Sequence, residues 1–359
     1  MNKRAYIIAE AGVNHNGSLD RALQLVDAAA EAGADAVKFQ TFKADKLVSR
    51  AAPKAGYQIA NTGTDESQHE MIRKLELDEA VHRRLMQHCR SRGIEFLSTP
   101  FDLESLTMLA SRFDLSRIKL GSGEITNAPL LLATARTGKP VILSTGMSDL
   151  GDVEDALAVL AYGYACGDVA PSLAAFEAAY CSEEGRSALS DKVTLLHCTT
   201  EYPAPLAEVN LLAMETLRQA FRLPVGYSDH TAGIAITIAA AALGATVIEK
   251  HFTLDRKLPG PDHQASLEPD ELRQMVRSIR DVEAALGSSV KQPAPSELGN
   301  RAVARKSLVA SRPVVEGERF SIGNLTVKRP GGGISPMRYW EWLGKPAERD
   351  YQTDDPVGS

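Results

Sequence analysis

The chain has 359 residues, of which 44% are hydrophobic and 24% charged, and its net charge is −6 at pH 7. This balance is typical of a folded protein with a large core, and the weakly acidic charge argues against nucleic-acid binding. No apolar run approaches the roughly 18 residues of a membrane span, and no apolar signal segment is present, so we expect a cytoplasmic protein.

Short β-rich runs alternate with helical patterns as far as residue 286. Eight strands are predicted, at residues 6–12, 36–42, 95–101, 117–123, 140–146, 193–199, 224–230 and 246–253. Helical patterns lie between them, and a last one over 268–286 has Pro269 in its first turn, where proline is tolerated. Eight βα units in series predict an α/β fold in which a parallel sheet closes into a (β/α)₈, or TIM, barrel.

Two connections are longer than such a barrel requires. Residues 161–192 form an insertion before the sixth strand, and we expect it on the outside of the barrel. Residues 43–74 follow the second strand. Because barrel active sites lie at the C-terminal ends of the strands, this second segment is a candidate wall of a substrate pocket.

The domain organisation follows from composition. Residues 1–286 are predicted to form the barrel as a catalytic domain, and residues 287–300 a linker rich in Pro, Ser and Gly. Residues 301–359 form a β- and turn-rich module with ten Lys and Arg against seven Asp and Glu. A module this small has a marginal core, so we expect it to dock on another surface.

Polar side chains occur at the end of every predicted strand. In chain order they are Glu10; Lys38 and Gln40; Ser98 and Thr99; Lys119 and Ser122; Ser144; His197 and Thr199; Ser228 and His230; Glu249 and His251. Residues two apart share a face of a strand, so several of these side chains can converge on one pocket at the barrel mouth. Lys250 faces away from its neighbours and is predicted on the outer face.

The residue types suggest particular ligands. His230 and His251, on neighbouring strands, could bind a divalent metal as an open Lewis-acid site, although hydrogen-bonded core histidines are the alternative. Lys38 and Lys119 need an anionic partner, which a phosphate with hydroxyl donors would provide. Lys119 alone could instead form a Schiff base.

Other polar residues remain open between a site role and a local one. Glu10 could serve the site or support its strand. Asn14 and His15 could contact substrate or cap the first βα loop, and Asp262 could contact a ligand or form a turn. The glycines of KRPGGG make only a weak phosphate loop, because no helix follows them.

The motifs resemble, in order, those of the bacterial N-acetylneuraminate (sialic acid) synthase family. They are IIAEAGVNHNG, AVKFQTFKADKLVS, FLSTPFD, IKLGSGE, VILSTGM, LLHCTTEYPAP, GYSDHT, IEKHFTLD and GPDH. The tail KRPGGGISP resembles the family's C-terminal antifreeze-like (SAF, β-clip) domain. The related legionaminic acid synthases share nearly all of these motifs, and the likeness covers the chain except the 161–192 insertion.

The resemblance implies a role for each matching residue. His230 and His251 would bind a divalent metal, with Mn²⁺ preferred and Mg²⁺ or Co²⁺ as alternatives. The positions expected to contact phosphoenolpyruvate are Lys38, Thr99, Lys119, Ser122, Ser144, Thr200 and Tyr202. Those expected near the sugar or metal are Glu10, Gln40, Ser228, Asp229 and Asp262, with Glu10 as the proton-transfer group. Arg329 would reach the partner subunit's active site, which implies a homodimer with swapped C-terminal modules.

The implied activity is that of a transferase. It would condense phosphoenolpyruvate with open-chain N-acetylmannosamine and water to give a nine-carbon sialic acid and phosphate. One alternative is the same reaction on 2,4-diacetamido-2,4,6-trideoxymannose, which gives legionaminic acid. Less favoured alternatives are a pyruvate-dependent aldolase and a non-enzymatic ice- or glycan-binding protein.

Overall fold

The computed structural model describes residues 4–63, 65–166 and 170–358. Contacts within the chain divide it into two compact units, Met1–Gly287 and Ser288–Ser359. A helix that begins at Pro295 lies partly inside the segment that the sequence predicts as a linker. None of the helices in the described ranges is long and apolar enough to cross a membrane.

The first unit is built on a curved parallel sheet, which confirms the predicted barrel class. Within the described residues its strands are β1 (Tyr6–Gly12), β2 (Ala36–Thr41), β3 (Glu95–Pro100), β4 (Ile118–Leu120), β5 (Val141–Ser144), β6 (Val193–Cys198), β7 (Val225–Asp229) and β8 (Val247–His251). The hydrogen-bonded order is β3-β2-β1-β8-β7-β6-β5-β4, and the two edge strands, β3 and β4, lie side by side. The sheet therefore curves round into a near-closed barrel.

Helices cover the outside of this barrel. Those of the first unit are α1 (Leu19–Glu31), α2 (Ala44–Leu47), α3 (Gly56–Thr62), α4 (Gln68–Arg73), α5 (Glu79–Arg92), α6 (Leu103–Thr107), α7 (Ala128–Arg136), α8 (Leu150–Ala165), α9 (Leu173–Cys181), α10 (Glu183–Lys192), α11 (Ala213–Phe221), α12 (Ala235–Ala242) and α13 (Pro269–Leu286). Helix α1 shows why they form. The Ser18 side chain caps its first turn by accepting from the Arg21 amide, and Ala22, Leu25, Val26 and Ala29 are buried along one stripe.

The long insertion adds α9 and α10 to the barrel's outer layer, where both pack against α8. The segment after β2 contains α2, α3 and α4. Hydrogen bonds hold part of this segment to the loop after β8, because Asn61 Nδ2 donates to the carbonyl oxygen of Pro261 at 2.6 Å. The segment thus lies at the C-terminal ends of the strands, as the sequence predicts.

The barrel interior is layered by the alternation of side chains along each strand. The lower layer is apolar and consists of Ile8, Ala36, Leu97, Ile142, Leu196 and Val247. Two residues further along the same strands come Glu10, Lys38, Thr99, Ser144, Cys198 and Glu249, all buried. Because residues two apart share a face, a polar layer lies directly on the apolar layer. That polar layer is the floor of the pocket.

Gly226 on β7 completes the apolar layer without a side chain of its own. A Cβ at this position would overlap the carbonyl oxygen of Val247 and lie 2.7 Å from Leu196 Cδ2. We therefore expect Gly226→Ala to cost about 1–3 kcal/mol of unfolding free energy through overpacking, measured by urea denaturation. Gly56→Ala is the matched control. Among the described residues, and apart from its chain neighbours and its own helix backbone, no atom lies within 4 Å of the point that a Cβ would occupy there. Equal stability of the two variants would contradict this packing.

The second unit has its own small core. Helix α14 (Pro295–Ala304) precedes an antiparallel pair, β9 (Ser307–Ala310) and β10 (Leu325–Lys328), and a short helix α15 (Tyr339–Trp342) follows. The hydrophobic side chains that form this core are Leu308, Ala310, Val314, Phe320, Leu325, Ala347, Tyr351 and Val357. Helix α14 itself buries no residue within this chain, since all of its residues are exposed.

Candidate active site

Two lysines and two carboxylates form a buried network across the polar layer. Lys38 Nζ lies 2.6 Å from Glu10 Oε2 and 3.6 Å from Glu249 Oε2. Lys119 Nζ lies 3.4 Å from Glu249 Oε1, so Glu249 stands between the two ammonium groups. The four charges balance, and strands β1, β2, β4 and β8 each contribute one of them.

Hydroxyl groups complete the hydrogen bonding of this network. Lys38 Nζ donates to Thr99 Oγ1 at 3.1 Å, and Lys119 Nζ donates to Ser144 Oγ at 2.8 Å. Ser228 Oγ donates to Glu249 Oε1 at 3.0 Å. Cations flanked by hydroxyl groups suit an anion that can accept several hydrogen bonds, such as a phosphate or a carboxylate.

The two carboxyl groups have opposite acidities. Burial raises the pKa of Glu10 to about 7, against the lowering effect of Lys38, and Glu249 raises it further. Burial also opposes ionisation of Glu249, but Lys119 and Lys38 together lower its pKa to about 2. A pair of carboxyls whose pKa values are pushed apart can divide acid–base work between them. Glu10 is therefore the group able to exchange a proton near neutral pH.

The two histidines of the site lie above this network, with ring centroids 5.5 Å apart. His230 Nδ1 donates to the carbonyl oxygen of Thr199 at 2.7 Å. Burial lowers the pKa of His230, but Cys198 and the Thr199 carbonyl together raise it above its usual value. Burial, with help from His230 and Lys38, lowers the pKa of His251 well below its usual value, so this ring is neutral. Its Nδ1 is buried and has no hydrogen-bond partner among the described residues.

These features fit a divalent metal ion. Neutral imidazoles are good ligands for such ions, and the Thr199 carbonyl orients one ring in the way that second partners of metal-binding histidines do. In residues 4–63, 65–166 and 170–358, no third His, Cys, Asp or Glu side chain completes a metal-binding cluster with them. An ion bound by His230 and His251 would thus keep positions open for water or substrate.

Aromatic side chains close one side of the pocket. The Tyr202 ring lies 4.1 Å from that of His230 and 5.6 Å from that of His251, centroid to centroid. Tyr57 of α3 packs on Tyr202 at 4.9 Å. Asp262 is buried, and burial raises its pKa to about 6 while His230 lowers it. The wall predicted from residues 43–74 therefore reaches the aromatic side of the site.

A small hydroxyl-lined corner lies beside Lys119. Gly146 donates its amide to Ser122 Oγ at 2.9 Å, and a Cβ at this glycine would overlap Thr200 Oγ1. Thr200 Oγ1 is buried without a hydrogen-bond partner in the described part of the chain. An unpaired buried hydroxyl is costly, so the corner is ready to receive a polar ligand atom.

The structure thus brings together most of the predicted site residues. These residues contact one another or are buried beside residues that do. They are Glu10, Lys38, Gln40, Thr99, Lys119, Ser122, Ser144, Thr200, Tyr202, Ser228, His230, His251 and Asp262. Gln40 joins through its amide, 3.5 Å from Glu10 Oε1. Asn14 does not belong to this group, because its amide donates to the Phe252 carbonyl and to Ser266 Oγ, which ties two loops together.

Three predictions need correction or stand apart. Asp229 does not reach the pocket, because it alternates with Ser228 and His230 and binds Lys250 on the outer face of the sheet. Lys250 does face outward as predicted, but it is fully buried under the helices. Arg329 lies exposed in the second unit.

Sequence reasoning missed one residue of the pocket floor and gave another, Glu249, no particular role. Cys198, not His197 or Thr199, is the inward residue of β6, and its Sγ lies 3.6 Å from His230 Nδ1. His197 turns outward and binds the carbonyl oxygen of Val209 at 2.7 Å. Glu249 received no role, although its spacing from His251 places both on one face. Counting two residues from the apolar Leu196 would have identified Cys198.

The fold and the site together define a (β/α)₈-barrel enzyme whose mouth can hold an anion beside a divalent ion. The chain belongs to the NeuB family, whose family model matches residues 25–291, and a SAF domain model matches residues 305–358.

Relatives with named activities match nearly the whole chain. It is 52% identical to the N,N'-diacetyllegionaminic acid synthase of Campylobacter jejuni subsp. jejuni over 98% of both chains. It is 48% identical to the enzyme of the same name from Legionella pneumophila subsp. pneumophila, over 94% of this chain and 89% of that one. A crystal structure of N-acetylneuraminic acid (sialic acid) synthetase from Leptospira borgpetersenii, in complex with citrate, matches with a TM-score of 0.66 and 32% identity, over 83% of this chain and 90% of that one.

Proposed function

We propose that the protein condenses phosphoenolpyruvate with 2,4-diacetamido-2,4,6-trideoxymannose and water, giving N,N'-diacetyllegionaminic acid and phosphate. The observation that carries the reaction type is the buried network of Lys38, Lys119, Glu10 and Glu249 beside the ring pair of His230 and His251. The choice of sugar follows the names of the relatives that are 52% and 48% identical. It replaces N-acetylmannosamine, the first choice from the sequence although the motifs do not separate the two sugars, as the first substrate to test.

The lysine network is suited to the phosphoenolpyruvate half of the reaction. The phosphate and carboxylate groups would bind Lys38 and Lys119, with donors from Thr99, Ser144 and the unpaired hydroxyl of Thr200.

The histidine pair is suited to the sugar half. When bound by His230 and His251, a divalent ion supplies Lewis-acid polarisation of the aldehyde oxygen of the open-chain sugar. Mn²⁺ is the ion we expect, with Mg²⁺ or Co²⁺ as alternatives. Tyr202 covers both rings and excludes water from one side of the pocket. Asp262 would accept hydrogen bonds from sugar substituents, and Gln40 would donate to them.

The bond changes balance with the groups available. C3 of phosphoenolpyruvate bonds to the aldehyde carbon, and water adds to C2 of the resulting oxocarbenium. Phosphate then leaves by C–O cleavage to give the 2-keto acid. Glu10, whose pKa is about 7 because of burial, accepts one proton of the attacking water and passes it to the former aldehyde oxygen, which becomes a hydroxyl, and Lys38 at 2.6 Å stabilises the carboxylate meanwhile. The second water proton leaves with the phosphate when the C2–O bond breaks and the ketone forms.

A competition assay tests the sugar assignment. Phosphate release from phosphoenolpyruvate is followed with 2,4-diacetamido-2,4,6-trideoxymannose and with N-acetylmannosamine under identical conditions. We expect kcat/KM to be higher for the diacetamido sugar by at least about 5-fold, since one well-made polar contact is worth about 1 kcal/mol of discrimination. A preference for N-acetylmannosamine would return the assignment to a sialic acid synthase.

We further propose that the active assembly is a homodimer in which Arg329 of one subunit completes the site of the other. Two inactive variants, Arg329→Ala and His251→Ala, can be mixed and allowed to exchange subunits. With swapped modules, random pairing restores roughly a quarter of the wild-type sites, because one site of each mixed dimer is intact. No recovery in a preparation shown to contain mixed dimers would contradict the swap.

A further inference from the structure

A buried ionic cluster lies on the outer face of the barrel, directly behind the two histidines. We call Asp229, Thr231, Thr237 and Lys250 the Asp229 cluster; each is fully buried. Lys250 Nζ lies 2.9 Å from Asp229 Oδ2 and donates to the carbonyl oxygen of Thr231 at 2.5 Å. Thr237 of helix α12 donates its hydroxyl to the same carboxylate oxygen, and the Thr231 amide donates to Asp229 Oδ1 at 2.8 Å.

The cluster fixes the backbone at both histidines. Asp229 and Lys250 are paired residues in the register of β7 with β8, and His230 and His251 are the next residues along each strand. The chain is held on both sides of His230, through the Asp229 carboxylate and the Thr231 peptide. Lys250, which binds both the Asp229 carboxylate and the Thr231 carbonyl oxygen, immediately precedes His251 in the chain. One ion pair thus couples the position of one ring to that of the other.

Stability alone is a poor explanation for this arrangement. The surrounding layer between sheet and helices is apolar, with Ile248, Ala240 and Phe252 all buried. A buried ion pair in such surroundings costs desolvation, and well-packed hydrophobic residues of similar volume are often as stable or more stable. An ion pair with directed hydrogen bonds, however, fixes geometry in a way that apolar contacts do not.

We propose that the Asp229 cluster is the positioning element of the histidine pair, holding His230 and His251 at the separation that a divalent ion requires. The inference rests on the proposed function in one respect, namely that the two histidines bind an ion. Asp229 and Lys250 are positioning residues, since neither side chain enters the pocket.

The test is the affinity of the purified protein for Mn²⁺ alone, measured by isothermal titration calorimetry without either substrate. In Lys250→Met the side chain keeps its length and loses its charge and donors, and we expect the Kd for Mn²⁺ to rise about 10–100-fold, as for other partners that orient metal ligands. Thr237→Val removes one donor to Asp229 and leaves both charges, so a smaller rise in the same direction is expected. If Lys250→Met does not fold, Asp229→Asn/Lys250→Met replaces it, because it leaves no unpaired buried charge.

Arg280→Met is the matched control. Arg280 forms a partly buried ion pair with Asp35 at 2.7 Å and binds the Ala5 carbonyl at the opposite end of the barrel. It is expected to lower the melting temperature and leave the Kd for Mn²⁺ unchanged. Folded cluster variants with a wild-type Kd would overturn the positioning role. A wild-type protein that does not bind Mn²⁺ would instead contradict the metal assignment of the proposed function, so the two failures are distinguishable.

Discussion

Replacing His251 by Ala is expected to abolish turnover, with kcat falling by at least about 10³-fold at any concentration of divalent ion, since a Lewis acid contributes several kcal/mol. The ring is neutral, buried and within 5.5 Å of His230, measured between ring centroids, and no third ligand side chain in the described residues can take its place. Phosphate release at saturating substrates measures the effect, and calorimetry with Mn²⁺ measures the loss of binding.

His197→Ala is the matched control for that substitution. His197 lies on the neighbouring strand β6, but its ring turns outward and binds the Val209 carbonyl. We expect kcat to stay near the wild-type value. Circular dichroism and a thermal melt show whether both variants are folded. A folded His251→Ala protein with full activity would contradict the assignment of the metal pair.

Replacing Glu10 by Gln is expected to lower kcat by about 10²–10⁴-fold, the range typical of a lost proton-transfer group. Gln keeps the shape of the side chain and can still donate or accept a hydrogen bond, but it cannot take up a proton. The effect should lie in kcat rather than in the KM for phosphoenolpyruvate, because Lys38 and Lys119 remain.

The pH dependence of the reaction rate provides a second test of the role of Glu10. Burial raises the pKa of Glu10 to about 7, so the ionised form that accepts a proton accumulates as pH rises through that value. The wild-type rate should therefore rise with pH across this range, and the residual rate of Glu10→Gln should not. Glu95→Gln, at the opposite end of the barrel beside Tyr6 and Arg117, should keep the wild-type profile. A pH profile of Glu10→Gln identical to that of the wild type would exclude Glu10 as the base.

Much of the site could be predicted because its residues follow the two-residue period of the strands. Lys38 and Glu10 come two residues after apolar interior positions, Ala36 and Ile8. Strand ends in a barrel meet at one mouth, so polarity at these positions is enough to assemble the pocket. The eight strands could also be predicted, because their apolar runs are bounded by turns and helices.

The errors arise where polarity does not reveal which face a side chain takes. Asp229 is charged and was expected near the site, but it lies in the layer between sheet and helices, which apolar residues normally fill. On β6 the polar His197 faces outward, and the less polar Cys198 faces the pocket. Only the alternation of side chains along the strand, counted from the interior residue Leu196, distinguishes the two faces of β6.

The chemistry of the network could not be derived from the sequence either. Glu10 and Glu249 are the same residue type at equivalent strand positions, and their pKa values differ because of distances. Glu249 lies between two lysines, at 3.6 and 3.4 Å, while Glu10 pairs at 2.6 Å with Lys38, its one lysine contact within the described residues. The aromatic contact of Tyr57 with Tyr202 depends on the conformation of the long connection after β2, which has no periodic sequence pattern from which it could be predicted.

The most direct test of the proposed reaction is phosphate release from phosphoenolpyruvate by the purified protein, with the sugar and the divalent ion each supplied or withheld. We predict release only when phosphoenolpyruvate, 2,4-diacetamido-2,4,6-trideoxymannose and Mn²⁺ are all present, with one nine-carbon 2-keto acid formed per phosphate. Formation of the same product from pyruvate in place of phosphoenolpyruvate, or release of phosphate without the sugar, would contradict it.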